Sequence, residues 1–443
     1  MLITDVRPWG GPTVDIEVRD GRIAALHPAG PGRTGAHDDE GSPQAPGGTV
    51  VEGRGRLALP AFSDVHVHLD STRIGLPFRP HTAEPGVWNM MCNDRENWRD
   101  TPVPHAEIVA GTLERMVARG TTRVRSYAQV DVDCRLERFG SVLAAKERFA
   151  HAADVEIMAF PQAGLLREEG TVPLIEEALR QGATTVGGID PCQLDRDPAR
   201  HLDIVFGLAE KHGADVDIHL HEPGHLGIFS AELVFERTRA LGMQGRVTLS
   251  HAYDLANVHP DATARLVEEM AELDVAWATV APAVPGVQFD LARMSEAGIR
   301  VGLGEDGQRD YWSPYGNCDM LDRTWQLAFT HRLRRDQLIE HCAAIATMGG
   351  ASILDRSVPR LTGSADRPGL RPGDRADLVL VDGETVTSAV MDRGRDRTVL
   401  HDGRVVADGL EVLRPGALRD SGPVPGAPGA EGERRGPQPS TLR

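Results

Sequence analysis

Apolar residues along the middle of this chain fall into short runs separated by stretches of helical periodicity. The runs Phe62–His68, Thr122–Tyr127, Val155–Phe160 and Thr184–Ile189 read as strands, as do Val216–His221, Arg246–Ala252, Val275–Ala281 and Arg300–Asp306. Between most of them lies amphipathic helical text, as at Val172–Gln181, His201–His212, Ala231–Leu241 and Asp261–Leu273. Gly182, Gly213, Gly242 and Gly298 follow such stretches, in the place of a helix C-cap. Eight strand–helix alternations predict an α/β fold of the (β/α)8 TIM-barrel type in preference to an open doubly wound sheet.

The two ends are patterned differently. Residues 1 to 27 read as short strands around a hairpin turn at Asp20-Gly21, and strand-like text resumes from Thr49 to Leu59. After Asp306 come two helical stretches, Cys318–Thr330 and Arg335–Leu354, and then strands at Ala376–Val381 and Arg397–Ala407. The segment Asp402-Gly403-Arg404-Val405-Val406 echoes Asp20-Gly21-Arg22-Ile23, so both ends are expected to build one small β-sandwich domain together. The expected organisation is residues 1–59 in that domain with 28–48 a mobile loop, a barrel over 60–357, the second part of the small domain over 358–413, and a disordered tail over 414–443. The first strand-to-helix connection, about residues 69 to 105, is long and is expected to form a pocket wall or lid.

Barrels of this type carry their chemistry at the C-terminal ends of the strands. Strand one ends His66-Val67-His68, and residues i and i+2 of a strand point the same way, so both imidazoles can reach one ion. Strand five ends His219-Leu220-His221-Glu222, strand six Ser250-His251, and strand eight Gly304-Glu305-Asp306-Gly307. Imidazole and carboxylate together suit Zn²⁺ or Fe²⁺. One such residue would read as a polar strand cap; the same chemistry at four strand ends does not.

Composition narrows the class. A net charge of −17 argues against binding nucleic acid or an anionic membrane. No apolar stretch approaches the ~20 residues of a membrane helix, and the N-terminus MLITDVRPWGG has no signal-peptide pattern. Five scattered cysteines without a CxxC fit a reduced, cytoplasmic chain.

The residues carry a family resemblance. Leu59-Pro60-Ala61-Phe62, His66-Val67-His68-Leu69-Asp70, Ala159-Phe160-Pro161-Gln162-Ala163-Gly164, Asp217-Ile218-His219 with Glu222, Ser250-His251, Gly304-Glu305-Asp306 and Gly373-Asp374-Arg375-Ala376-Asp377-Leu378 together resemble the amidohydrolase superfamily, and within it the cytosine deaminase-like branch. The resemblance spans nearly the whole chain to about residue 410. It implies one divalent metal, zinc or iron, on His66, His68, His219 and Asp306. It also implies Glu222 as proton shuttle, His251 as hydrogen-bond partner of the attacking hydroxide or the substrate, and Asp306 as acceptor of the water's proton. Gln162 and Trp312 would contact the heterocycle. His221 is the rival ligand on strand five, and His219 is preferred because it alone has the His-x-x-Glu spacing. Family members are often homo-oligomers, and the same is expected here.

Lysine occurs only at Lys146 and Lys211, and strand four ends Gly187-Gly188-Ile189-Asp190. That excludes the lysine-bridged binuclear centre of many superfamily members and favours the mononuclear deaminase type. Pro191-Cys192 has no second cysteine at the spacing of the other zinc deaminases. The expected reaction is hydrolytic deamination of an amino-substituted N-heterocycle, cytosine-like, pterin-like or triazine-like. The alternative is hydrolysis of another C–N bond, as in an N-alkylamino-triazine, an amide or a carbamate.

The chain departs from cytosine deaminases at Gly307, where they have a second Asp, and at Arg125-Ser126-Tyr127, where they have Thr-His. Glycine at 307 is expected to leave room for a larger heterocycle. Three residues stay open: His225 as substrate contact or solvated loop residue, Arg73 facing the pocket or the surface, and Asp70 supporting the first histidines or capping the loop.

Overall fold

The computed structural model describes residues 1–29, 49–283, 286 and 288–414. The expected mobile loop, beyond residue 29, and the expected tail, beyond residue 414, lie outside the described residues. The eight central strands are β1 Phe62–Val67, β2 Thr121–Gln129, β3 Asp154–Phe160, β4 Thr185–Ile189, β5 Asp215–Leu220, β6 Val247–His251, β7 Ala276–Thr279 and β8 Val301–Leu303. They pair in sequence order, all parallel. The ring closes where Val67 bridges Asp306 in parallel. The amide of Asp306 donates to the His66 carbonyl at 2.8 Å, and the amide of His68 donates to the Asp306 carbonyl at 3.2 Å. Gly304 permits that closure, because a Cβ there would lie 2.5 Å from the His66 Cβ.

The helices wrap this barrel much as their periodicity predicts, over Thr171–Arg180, Pro198–His212 and Pro260–Glu272. The helix after β5 runs Gly224–Ala240, starting two turns earlier than its apolar pattern, because Gly224 and Gly227 interrupt that pattern. Their inward stripes, such as Leu202, Val205, Phe206 and Ala209, join one continuous core with the strands.

The chain ends form a separate nine-stranded mixed sheet. The strand Leu2–Pro8 pairs antiparallel with Val14–Arg19 and then parallel with Leu57–Pro60, bending at Asp5 where φ is 54°. Leu57–Pro60 pairs antiparallel with Leu378–Val381, so the two ends of the chain are sewn together. The sheet folds over a shared cluster that includes Ile3, Ile16, Val18, Ile23, Leu378, Leu380 and Leu400. The two echoing turns meet: Asp20-Gly21 and Asp402-Gly403 all have positive φ, as type I′ hairpins require, and Gly403 packs against Gly21. Leu57–Pro60 leads directly into β1, so this sheet sits at the N-terminal face of the barrel. The opposite rim, where the strands end, is left to the loops.

Candidate active site

Backbone geometry aims side chains inward at that rim. Asp190, His251 and Asp306 follow or end β4, β6 and β8 with φ of 36°, 63° and 61°. Such left-handed conformations cost energy in non-glycine residues and cluster where a structure must place a side chain.

His66, His68, His219 and His251 converge with Asp306. The ring of His66 lies 4.6 Å from those of His219 and His251, and His219 lies 5.0 Å from His251. Nε2 of His66 and Nε2 of His68 are each 3.5 Å from Oδ1 of Asp306. Candidate ligand atoms of His66, His68 and Asp306, and of His66, His219 and His251, lie within 4.8 Å of one another. Both ring nitrogens of His66 and of His219 are buried without a hydrogen-bond partner. Buried polar atoms are almost always satisfied, so this arrangement has the character of a ligand set for a cation.

The electrostatics agree. Burial, reinforced by the neighbouring histidines, holds His219 and His251 well below the ordinary imidazole value, so they are neutral. Burial pushes the Asp306 carboxyl up, but the imidazoles of His66 and His68 beside it outweigh burial and hold the group well below the usual range. Neutral imidazole and ionised carboxylate are the protonation states a divalent metal needs. His68 departs from this, because burial lowers it but Asp70 and Asp306 outweigh burial and hold it above the ordinary value. Asp70 lies 3.7 Å from Nδ1 of His68 and accepts a hydrogen bond from the Gln129 amide at 2.8 Å, so it both backs a histidine and ties down the loop.

His221 turns elsewhere. Its backbone and Nδ1 bond the two oxygens of Asp190 at 2.7 and 2.9 Å. Its ring still lies 4.2 Å from that of His251. Tyr127 forms a floor, its ring 4.2 Å from His66 and 4.6 Å from His219, while its hydroxyl donates to Asp217 at 2.9 Å. Arg125 donates to the same carboxylate at 3.1 Å, which holds Asp217 in place beneath the floor.

Glu222 is buried. One oxygen accepts from the amides of Cys192 and Gln193 at 2.7 and 2.8 Å, and the other accepts from the Ser230 hydroxyl. Burial raises its carboxyl above the ordinary value in spite of these donors. Gln162 lies two residues past Phe160, whose ring stacks on His219 at 4.2 Å. The Gln162 side chain is buried and makes no hydrogen bond among the described residues. Trp312 is half-buried, with its amide donating to Asp310 at 2.8 Å. His225 is exposed on the first turn of its helix.

An open cavity lies over Asp306, Gly307 and Arg309. The expected room at Gly307 is taken up: a Cβ there would lie 2.3 Å from Oδ2 of Asp310. Asp310 accepts from the Ser71 hydroxyl and from the amides of Trp312 and Ser313, each at 2.8 Å. Sequence reading missed Asp310, Ser71 and Asp190 as parts of this rim. Only the Asp190 position at the end of β4 gave a local signal.

A profile described as "Amidohydrolase family" matches residues 84–407. The N-isopropylammelide isopropyl amidohydrolase of Pseudomonas sp. (strain ADP) is 27% identical over 372 residues, covering 81% of this chain and 89% of the relative. The pterin deaminase of Rhizobium rhizogenes (strain K84 / ATCC BAA-868) is 22% identical over 417 residues, covering 90% of this chain and 89% of the relative. The crystal structure of N-isopropylammelide isopropylaminohydrolase from Burkholderia multivorans ATCC 17616 superposes with a TM-score of 0.81 at 35% identity, covering 93% of this chain and 99% of that one. The chain belongs to the amidohydrolase family and is a hydrolase of C–N bonds other than peptide bonds. No helix among the described residues is long and apolar enough to cross a membrane.

Proposed function

We propose that this amidohydrolase-family chain removes an exocyclic amino group from an N-heterocycle by hydrolysis, releasing ammonia. The observation that carries the reading is the pair His66 and His219, whose buried ring nitrogens lack partners beside Asp306. His66, His68, His219 and Asp306 would hold one divalent cation, and their nitrogen and oxygen donors suit zinc or iron. A cation bound there would supply a water molecule acidic enough to act as nucleophile at neutral pH. Asp306, ionised in this setting, would take the first proton at its free oxygen. Glu222, its carboxyl raised by burial, would deliver a proton to the departing amine, which leaves poorly unless protonated. The amides of Cys192 and Gln193 and the hydroxyl of Ser230 would hold Glu222 in one orientation while it changes charge. His251 would hydrogen-bond the attacking oxygen, with Gln162 and Trp312 on the ring of the substrate. Residues 60–357 would carry this chemistry, and the small domain from both chain ends would brace the opposite face.

A second reading has its own support. The 35% identity to an isopropylaminohydrolase favours release of an alkylamine from an alkylamino-triazine by the same residues. Metal-loaded protein should be incubated with aminopyrimidines, pterins and N-alkylamino-triazines, and the released amine identified by mass spectrometry. Ammonia selects the first reading and an alkylamine the second. Release of neither would reject both.

A further inference from the structure

A second, small cavity adjoins the one over Asp306, between the loop after β1 and the loop after β8. Arg73, Arg79, His81 and Arg309 lie in its wall, and Arg309 lines both cavities. Arg73 is 7% exposed. Its backbone is fixed by a 3.1 Å hydrogen bond to the Gln308 carbonyl, so its position is tied to the residues just after Asp306. Its Nη1 donates to the Tyr311 hydroxyl at 2.9 Å, and its guanidinium lies 4.8 Å from the centre of that ring.

No carboxylate pairs with Arg73 among the described residues. Arg79 has its own partner in Asp100 at 2.8 Å. Asp310 lines the same wall, but its oxygens already accept from Ser71, Trp312 and Ser313. Arg309 is exposed and makes no ion pair among the described residues. A buried arginine ordinarily meets a carboxylate, because its charge is costly to desolvate alone. Here the guanidinium borders open space and keeps donors free for a planar anion.

We propose that Arg73, assisted by Arg309, is an anion subsite beside the candidate metal centre. The substrate heterocycle would carry a carboxylate or an ionised oxo group on the side away from the carbon attacked. This rests on the function proposed above and narrows it to anionic heterocycles.

The test is isothermal titration of the metal-loaded full chain with three matched pairs. These are the carboxylate and carboxamide forms of a cytosine, a pterin and an aminotriazine. At least one carboxylate is expected to bind about tenfold more tightly than its amide. That preference should fall to within about twofold of unity in Arg73→Gln, persist in part in Arg73→Lys, and fall by a smaller factor in Arg309→Gln. If Arg73→Gln does not fold, Tyr311→Phe, which frees Nη1, must change the preference in its place. No preference on any core, or a preference unchanged in these variants, overturns the subsite. Amine release from the same six compounds is assayed separately. Release without charge preference sinks the subsite alone, and charge preference without release sinks the proposed reaction alone.

Discussion

Two clusters of histidine and aspartate stand at opposite ends of this barrel. At the C-terminal rim, His66, His68, His219, His251 and Asp306 converge with no arginine among them. At the other end, Asp154, Asp377 and His401 lie equally close together. There Arg123 donates to Asp377 at 2.9 Å, Arg375 pairs with it at 3.1 Å, and the Asp402 amide donates to it at 2.8 Å. Arg375 also pairs with Asp154 at 2.8 Å. The same residue types therefore mean different things. Where arginines already neutralise the carboxylates, the cluster is a clamp between the barrel and the end sheet. His401 there leaves one buried ring nitrogen unpartnered, whereas His66 and His219 leave both, beside an Asp306 with which no arginine pairs among the described residues, so positive charge is still wanted at the rim.

The contrast breaks most visibly under ligand removal. His219→Ala is expected to lose bound metal and several kcal/mol of transition-state stabilisation, on the order of 10⁴-fold in turnover. His401→Ala should keep its metal, with metal content read by atomic emission and turnover by amine release. Metal retained in His219→Ala would erase the distinction between the ends.

Glu222→Gln should keep the metal and lose about 10³-fold in kcat, the scale of a lost proton shuttle. Steady-state kinetics on metal-quantified protein checks this, and an unchanged kcat would remove Glu222 from the mechanism.

Asp377→Ala sharpens the clamp side. It leaves Arg123, 9% exposed, facing no carboxylate of its own, and should cost about 3 kcal/mol, as breaking a buried pair does. Urea unfolding would register that loss, while metal content stays at the wild-type level.

The smallest effect concerns pH. Burial pushes Asp310 up to about 6, against donors that would lower it. A raised carboxyl contributes stability below its unfolded value near 4, and that contribution is lost as pH rises through 6. Asp310→Asn lacks this loss. Its Tm relative to wild type should therefore improve between pH 4.5 and 7, and a difference that is flat across that range would contradict the shift.

Much of the fold was legible because its signals are local. All eight strands lie within three residues of their expected bounds, since parallel barrel strands are buried on both faces and read as apolar runs. The paired turns at Asp20-Gly21 and Asp402-Gly403 announce themselves through their glycines. The strand-end histidines follow from a period of two. What stayed hidden depends on contacts between distant positions. Asp310 fills the space beside Gly307 only because the chain turns back after β8, and Ser71 reaches it from the loop after the adjoining strand β1. Tyr127 and Arg125 of β2 share Asp217 of β5 across the barrel interior, which no spacing along the sequence reveals.

The pairing of Leu57–Pro60 with Leu378–Val381 also sets an order of events during synthesis. A ribosome adding about 5–20 residues per second leaves the earlier strand without this partner for roughly 15–60 seconds, while ~300 residues follow. Throughout that interval the edge offers unpaired amides and carbonyls to any passing strand. The barrel is translated in full before its brace can close, so a chaperone that shields Leu57–Pro60 would cover a strand edge that waits for a partner made about 300 residues later.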